Sequence, residues 1–198
     1  MVRFGLLTEV PRADYYNFWI WACVAVYLCV KPQIVKSSES APQIVRVNSE
    51  AHLDAIRELF IEYSRSLDVD LCFQGFAQEL AELPGRYSPP DGCLFLMVVA
   101  GNNAGCVGLR KISDGVCEMK RLYLRPVFRR RGAGRVLAKA SIDAACEIGY
   151  QRMRLDTLPS MKEAIELYKS LGFREIEPYY DNSSTGAIFL ELNLSGLA

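Results

Sequence analysis

Three observations predict a mixed α/β domain whose first half is largely antiparallel. Residues 93–100 and 104–112 are two apolar, strand-like runs joined through Gly101-Asn102-Asn103, which is how a hairpin reads. A third strand-like run, residues 116–124, leads through a glycine-containing turn into a helix-period run. Its apolar members are Ala133, Val136, Leu137, Ala140, Ala144 and Ile148. The chain has 198 residues, 51% hydrophobic and 23% charged, enough for one well-buried core plus an extension.

The elements follow in order from Gln43. Residues 44–47 read as a short strand. Asn48 or Ser49 can cap a helix whose apolar stripe is Leu53, Ile56, Leu59, Phe60 and Tyr63. A loop through Asp68, Asp70 and Cys72 leads to a second, short helix that ends before Pro84-Gly85. After the hairpin, Ser113-Asp114-Gly115 turns the chain into the strand at 116–124. Beyond the long helix, residues 153–156 form a strand. Ser160 can cap the next helix, whose face is Ala164, Leu167, Tyr168 and Leu171 and which Gly172 ends. Ile188, Leu190 and Leu192 alternate in a last strand.

Residues 1–42 are a different kind of sequence and read as an apolar extension with a linker, upstream of a domain at 43–198. Residues 15–30 carry no charge and include Phe18, Trp19, Ile20 and Trp21. As a helix they would rise roughly 24 Å, short of the roughly 30 Å hydrocarbon core. Arg3 and Arg12 are offset by Glu9 and Asp14, a poor start for a signal peptide. A membrane anchor with the downstream domain on the cytoplasmic side, an interfacial or partner-binding helix, and an extension with no fold of its own all stand open.

Seven scattered cysteines without a Cys-x-x-Cys pair imply a reducing, cytoplasmic setting and no zinc site. His52 is the only histidine, so neither a metal centre nor a Cys-His nucleophile at Cys72 is expected, and His52 reads as an exposed helix residue.

The charge is balanced at 23 basic and 23 acidic side chains, but it is not evenly spread. Seven cations (Lys120, Arg121, Arg125, Arg129, Arg130, Arg131, Arg135) lie between residues 120 and 135 with no anion among them. Inside that stretch, Arg129-Arg130-Arg131-Gly132-Ala133-Gly134 joins strand to helix. Glycines let the backbone approach a ligand, and the first N–H groups of a helix have no partner within it, so such a turn makes an anion site. The segment reads as a cradle for a phosphorylated ligand. A solvated arginine face and a nucleic-acid patch are the competing readings, the latter opposed by the net acidity of the rest of the chain.

Arg129-x-x-Gly132-x-Gly134 resembles the acetyl-CoA signature of the GCN5-related N-acetyltransferase (GNAT) family. Ala164-Ile165-Glu166-Leu167-Tyr168-Lys169-Ser170-Leu171-Gly172-Phe173 resembles its second signature. The resemblance spans about residues 43–195. It implies a mixed, mostly antiparallel sheet flanked by helices, with two splayed strands that hold the coenzyme. It also implies an enzyme that moves an acetyl group from acetyl-CoA to the amine of a small molecule or peptide, by direct attack in a ternary complex and without a metal. A non-catalytic acyl-CoA-binding module is the alternative, and both monomer and homodimer are open.

By the same resemblance, backbone groups of Arg130, Arg131, Gly132, Ala133, Gly134 and Arg135 would hold the pyrophosphate. Leu122, Tyr123 and Leu124 would pair with the pantetheine arm, and Arg129 or Arg135 would meet the nucleotide's phosphates. An N–H near Leu122 would face the oxyanion of the tetrahedral intermediate. Met161 stands where many members carry an asparagine, so that contact is lost or supplied by Ser160. Glu118 is implied as the base that takes the amine's proton, with a surface glutamate as the other reading. Tyr168 is implied as the acid for the departing thiolate, with a core aromatic as the other. Acceptor contacts would fall on Asp70, Phe73 and Gln74 and on Tyr179 and Tyr180, where acidic and aromatic groups would suit a small cationic amine, with ordinary loop chemistry and core packing as the other reading.

Overall fold

A computed structural model of the chain describes residues 41–67, 75–130, 132–180 and 186–196. Among them, β1 (Gln43–Arg46), β2 (Cys93–Val99), β3 (Asn102–Ser113), β4 (Val116–Leu124), β5 (Arg152–Thr157), β6 (Arg174–Ile176) and β7 (Ile188–Asn193) form one sheet. The strand order is β1-β2-β3-β4-β5-β7-β6. Every neighbouring pair is antiparallel except β4 and β5, which run parallel because a long helix returns the chain between them. The helices are α1 (Glu50–Arg65), α2 (Phe76–Glu82), α3 (Ala133–Ile148) and α4 (Lys162–Ser170).

Apolar residues alternate along the central strands and so feed two cores, one on each face. On one face Met97, Val107, Leu109, Met119, Met153, Leu155 and Leu190 pack against Leu137 and Ile142 of α3. On the other, Ile56, Leu59 and Phe60 of α1 pack against Leu94, Leu96, Cys106 and Tyr123. Each such fully buried side chain contributes roughly 1.5–3 kcal/mol. Ser49 caps α1 by accepting from the His52 N–H at 3.3 Å, and His52 is half-buried there rather than exposed.

Three local expectations change. The hairpin turns at Ala100 and Gly101, both with positive φ (49° and 77°), while Asn102 and Asn103 already belong to β3. A two-residue turn with both φ positive matches the strands' twist, and the Asn102 amide reinforces it by donating to the Ala100 carbonyl at 3.1 Å. Met161, not Ser160, precedes α4: a tight turn in which the Met161 N–H meets the Leu158 carbonyl at 2.9 Å leaves Ser160 exposed and outside the helix. The three-residue β6 carries too little pattern to read from sequence, yet it closes the sheet's edge.

Candidate active site

The parallel pairing of β4 and β5 covers only three residues of each, ending at Glu118 opposite Arg154. Beyond that point β4 runs on to Leu124 and β5 to Thr157 without pairing to one another. The two strands part into a V whose inner edges carry main-chain donors and acceptors. Strand β3 braces the outer edge of β4 as far as Leu124, which pairs with Gly105. That brace is close: a Cβ on Gly105 would lie 2.3 Å from the Tyr123 carbonyl oxygen.

At the end of β4 the chain makes one 3-10 turn (Pro126–Phe128) and enters α3. Gly132 stands before the first helical residue with φ 76°, a left-handed backbone conformation that any other residue adopts at a cost. No side chain caps this helix. The first of its amides with a backbone acceptor is that of Val136, bonded to Gly132 at 3.2 Å. The amides of Ala133, Gly134 and Arg135 find no acceptor among the described residues. Gly134 lies against Leu124 of β4 and Leu167 of α4, its position for a Cβ being 3.7 and 3.3 Å from their methyl groups. The helix start, the end of β4 and α4 therefore converge at one place.

The cations concentrated in the sequence divide into two sets. Lys120, Arg121 and Arg125 turn to carboxylates: Lys120 to Asp156 at 2.6 Å, Arg121 to Glu79 at 2.7 Å, and Arg125 to Glu58 and Glu62 at 2.5 and 2.7 Å. Their charge is spent inside the protein. Arg129, Arg130 and Arg135 remain exposed around the helix start. Arg129 donates to the Leu124 carbonyl at 3.0 Å and lies over the Tyr123 ring. Arg135 reaches Ser170 at 2.6 Å. Arg131 lies outside the described residues.

Glu118 is 2% exposed and already fully engaged. Arg110 holds its Oε2 through two nitrogens at 2.6 and 2.7 Å, and the Tyr179 hydroxyl donates to its Oε1 at 2.7 Å. Lys120 lies 3.8 Å from the same Oε1 and 2.6 Å from Asp156, so its ammonium bridges the mouth of the V. Burial opposes the charge on Asp156, but attraction and hydrogen bonding from Lys120, the Tyr180 hydroxyl and Arg121 outweigh it and hold this carboxyl below its ordinary range.

Tyr168 is buried in the last turn of α4, edge-on to Phe173 at 5.7 Å. Burial, with Tyr63 and Asp156 nearby, raises its hydroxyl well above the usual phenol value. It is a core aromatic close enough to the charged floor formed by Glu118, Lys120 and Asp156 to feel the charge of Asp156.

Of the residues expected to meet the acceptor, Tyr179 and Tyr180 come together on this floor. Tyr179 bonds Glu118, Tyr180 bonds Asp156, and their rings pack with each other and with Phe189 at 5.1–5.2 Å. Asp70, Phe73 and Gln74 lie outside the described residues, as do residues 1–40. Arg110, Lys120, Arg154 and Asp156 went unread as site residues. For three of them a partial signal was available: Lys120 follows Glu118 at an alternate position of β4, and Arg154 and Asp156 alternate with the apolar Met153 and Leu155 in β5. No helix of the described residues is long and apolar enough to cross a membrane.

The model of the Acetyltransferase (GNAT) family matches residues 53–173. An uncharacterized N-acetyltransferase of Schizosaccharomyces pombe is 40% identical over 148 residues, which cover 72% of this chain and 89% of that protein. The fold is similar to that of a GNAT-family acetyltransferase from Staphylococcus aureus (TM-score 0.67, 20% identity, 78% of this chain and 100% of that one). It is also similar to a putative acetyltransferase from Salmonella typhimurium solved with its cofactor acetyl-CoA (TM-score 0.59, 21% identity, 79% and 95%).

Proposed function

The chain belongs to the GNAT family of acetyltransferases, and on that premise we propose that its domain at 43–198 moves the acetyl group of acetyl-CoA to an amine by direct attack in a ternary complex. The observation that carries this reading is the parting of β4 and β5 beside a helix start whose first amides have no acceptor among the described residues. The diphosphate of coenzyme A suits those amides, and the exposed Arg129, Arg130 and Arg135 add positive potential at the same end. The pantetheine amides suit the inner edge of β4 at Leu122, Tyr123 and Leu124, as an added strand suits a sheet edge.

The thioester would then lie in the V, with the acceptor amine on the charged floor. An ammonium must shed a proton before it can attack. Glu118 is too enclosed to meet the amine directly. Its proton arrives through Tyr179: the phenol oxygen takes the amine's proton while the phenol's own proton passes to Glu118 Oε1. The nitrogen then bonds to the thioester carbon, an N–H of β4 near Leu122 meets the oxyanion, and the C–S bond breaks on collapse. Tyr168 gives its proton to the departing sulfur. The raised affinity of its hydroxyl for the proton keeps it charged with that proton through neutral pH.

A thiol-release assay with acetyl-CoA across amines, amino acids and peptides tests the reading. Acceptor-dependent release of free coenzyme is expected. Saturable coenzyme binding without release to any acceptor would instead mark a non-catalytic acyl-CoA-binding module, and no binding at millimolar coenzyme would overturn both.

A further inference from the structure

The sheet face that carries Glu118 also carries a line of charge across five strands. The registers set Arg110 of β3 beside Glu118 of β4, Glu118 beside Arg154 of β5, Arg154 beside Glu191 of β7, and Glu191 beside Arg174 of β6. Cross-strand partners share a face, so the row alternates cation and anion and ends with one cation in excess.

The excess charge falls at the exposed end of the row, on Arg174, but spare hydrogen-bonding capacity lies further in and can be traced to particular atoms. Arg110 and Tyr179 satisfy Glu118, as described. Glu191 accepts from Arg154 through Nε alone, at 2.7 Å. Neither terminal nitrogen of Arg154 donates a hydrogen bond to a described residue, and its side chain is 23% exposed. The Tyr179 ring lies against the same guanidinium, 5.2 Å away, and limits it on one side. What remains is a planar fork of donors in a partly covered place, which fits a carboxylate in two-point contact.

Asp156 lies two residues further along β5 on the same face, about 7 Å away by strand geometry. It points toward the mouth of the V, where Tyr168 is close enough to feel its charge. Along one face of β5, then, an anion stands on the side of the V and an incompletely bonded cation stands behind it. An ammonium drawn to Asp156 with a carboxylate on the adjoining carbon would meet both.

We propose that the acceptor is a free amino acid, an amine with a carboxylate beside it, and that Arg154 determines this specificity by binding the carboxylate. The inference rests on the acyltransferase reading and deepens it. It excludes peptide N-termini and simple polyamines as preferred acceptors, since neither presents a carboxylate next to the reacting nitrogen.

The experiment compares the full chain on matched acceptors: amino acids, their primary carboxamides, and the amines left by decarboxylation, all with acetyl-CoA and a thiol-release readout. The acids are expected to exceed both analogues in kcat/KM by about ten- to a hundredfold, the effect of one hydrogen-bonded charge pair, and mainly through KM. In Arg154→Gln that ratio should fall toward one, and Arg154→Lys should recover part of it. Amides or amines acetylated as well as the acids by the unaltered protein would overturn the inference while sustaining the acyltransferase reading, whether or not the variants fold. A folded Arg154→Gln that keeps the acid preference would also overturn it. Absence of thiol release with every acceptor would overturn the underlying reading and this inference with it.

Discussion

Gly132 and Gly134 belong to one signature, but the structure gives them different work, and that difference can be measured. Gly132 has φ 76° and open space where a Cβ would stand, so Gly132→Ala meets no clash. Its cost is conformational: about 1–2 kcal/mol for a left-handed alanine, reduced by the roughly 0.4–1 kcal/mol that alanine removes from the unfolded chain's freedom. Gly134 is helical. A Cβ there would meet only methyl ends, Leu167 at 3.3 Å and Leu124 at 3.7 Å, which can shift by a few tenths of an ångström. The helix gains up to about 1 kcal/mol on replacing glycine by alanine, so Gly134→Ala should be close to neutral.

The strain at position 132 must appear in one of two places. If the turn holds its shape, urea unfolding shows the loss as a lower midpoint at unchanged slope. If the turn relaxes, the amides of Ala133 to Arg135 move and coenzyme affinity falls instead, about five- to thirtyfold for the full cost. Urea titration and calorimetric titration with coenzyme A on the same preparations should together recover the loss. A Gly134→Ala protein more impaired than Gly132→Ala in the two measurements together would refute the assignment of the cradle to the left-handed turn.

Three further outcomes are expected. Arg121, its side chain 3% exposed, meets Glu79 of α2, and no residue of α2 is itself buried, so this pair is a main tether of that helix. Glu79→Gln should cost about 3–5 kcal/mol in urea unfolding, and adding Arg121→Met should restore part of it; a double variant no better than the single one would contradict this. Acid should act through the same carboxyl. Burial raises the Glu79 carboxyl, but Arg121 and Tyr87 outweigh burial and hold it below the usual glutamate value. Its contribution is therefore present at neutral pH and lost as pH falls from about 4 through the depressed value, so melting temperature should drop steeply there, and less steeply in Glu79→Gln. Tyr168→Phe should lower kcat by about a hundredfold or more while leaving coenzyme affinity within twofold, and unchanged turnover would remove Tyr168 from the chemistry.

What could be read in advance depended on how local its cause is. Val116 to Leu124 and Ala133 to Ile148 were legible because burial of one strand face or one helix stripe imposes its period on neighbouring residues. The turn between them was legible because a left-handed residue before an uncapped helix leaves a glycine in the sequence. The charged floor was legible only in part: Glu118, Tyr179 and Tyr180 are named by the family resemblance, but Arg110, Lys120, Arg154 and Asp156 come from β3, β4 and β5, and only the register joins them to that group. Arg154 shows this most clearly: in the sequence it is one of two arginines in a six-residue strand, and in the sheet it stands between Glu118 and Glu191.

The same register explains why only part of the concentration of cations in the sequence is left for the proposed anion site. Lys120, Arg121 and Arg125 lie within six residues of one another, yet each is directed to a carboxylate on a different element: Asp156 on β5, Glu79 on α2, and Glu58 with Glu62 on α1. Arg121 can do so because it has φ 56° and interrupts the alternation of β4 where the pairing with β3 slips. That irregularity places successive cations on different neighbours, and it lies where β4 has already parted from β5. One local departure from strand geometry thus ties α2 to the sheet and alters the line of β4 beside the proposed pantetheine edge. The attachment of α2 and the course of β4 depend on the same residue.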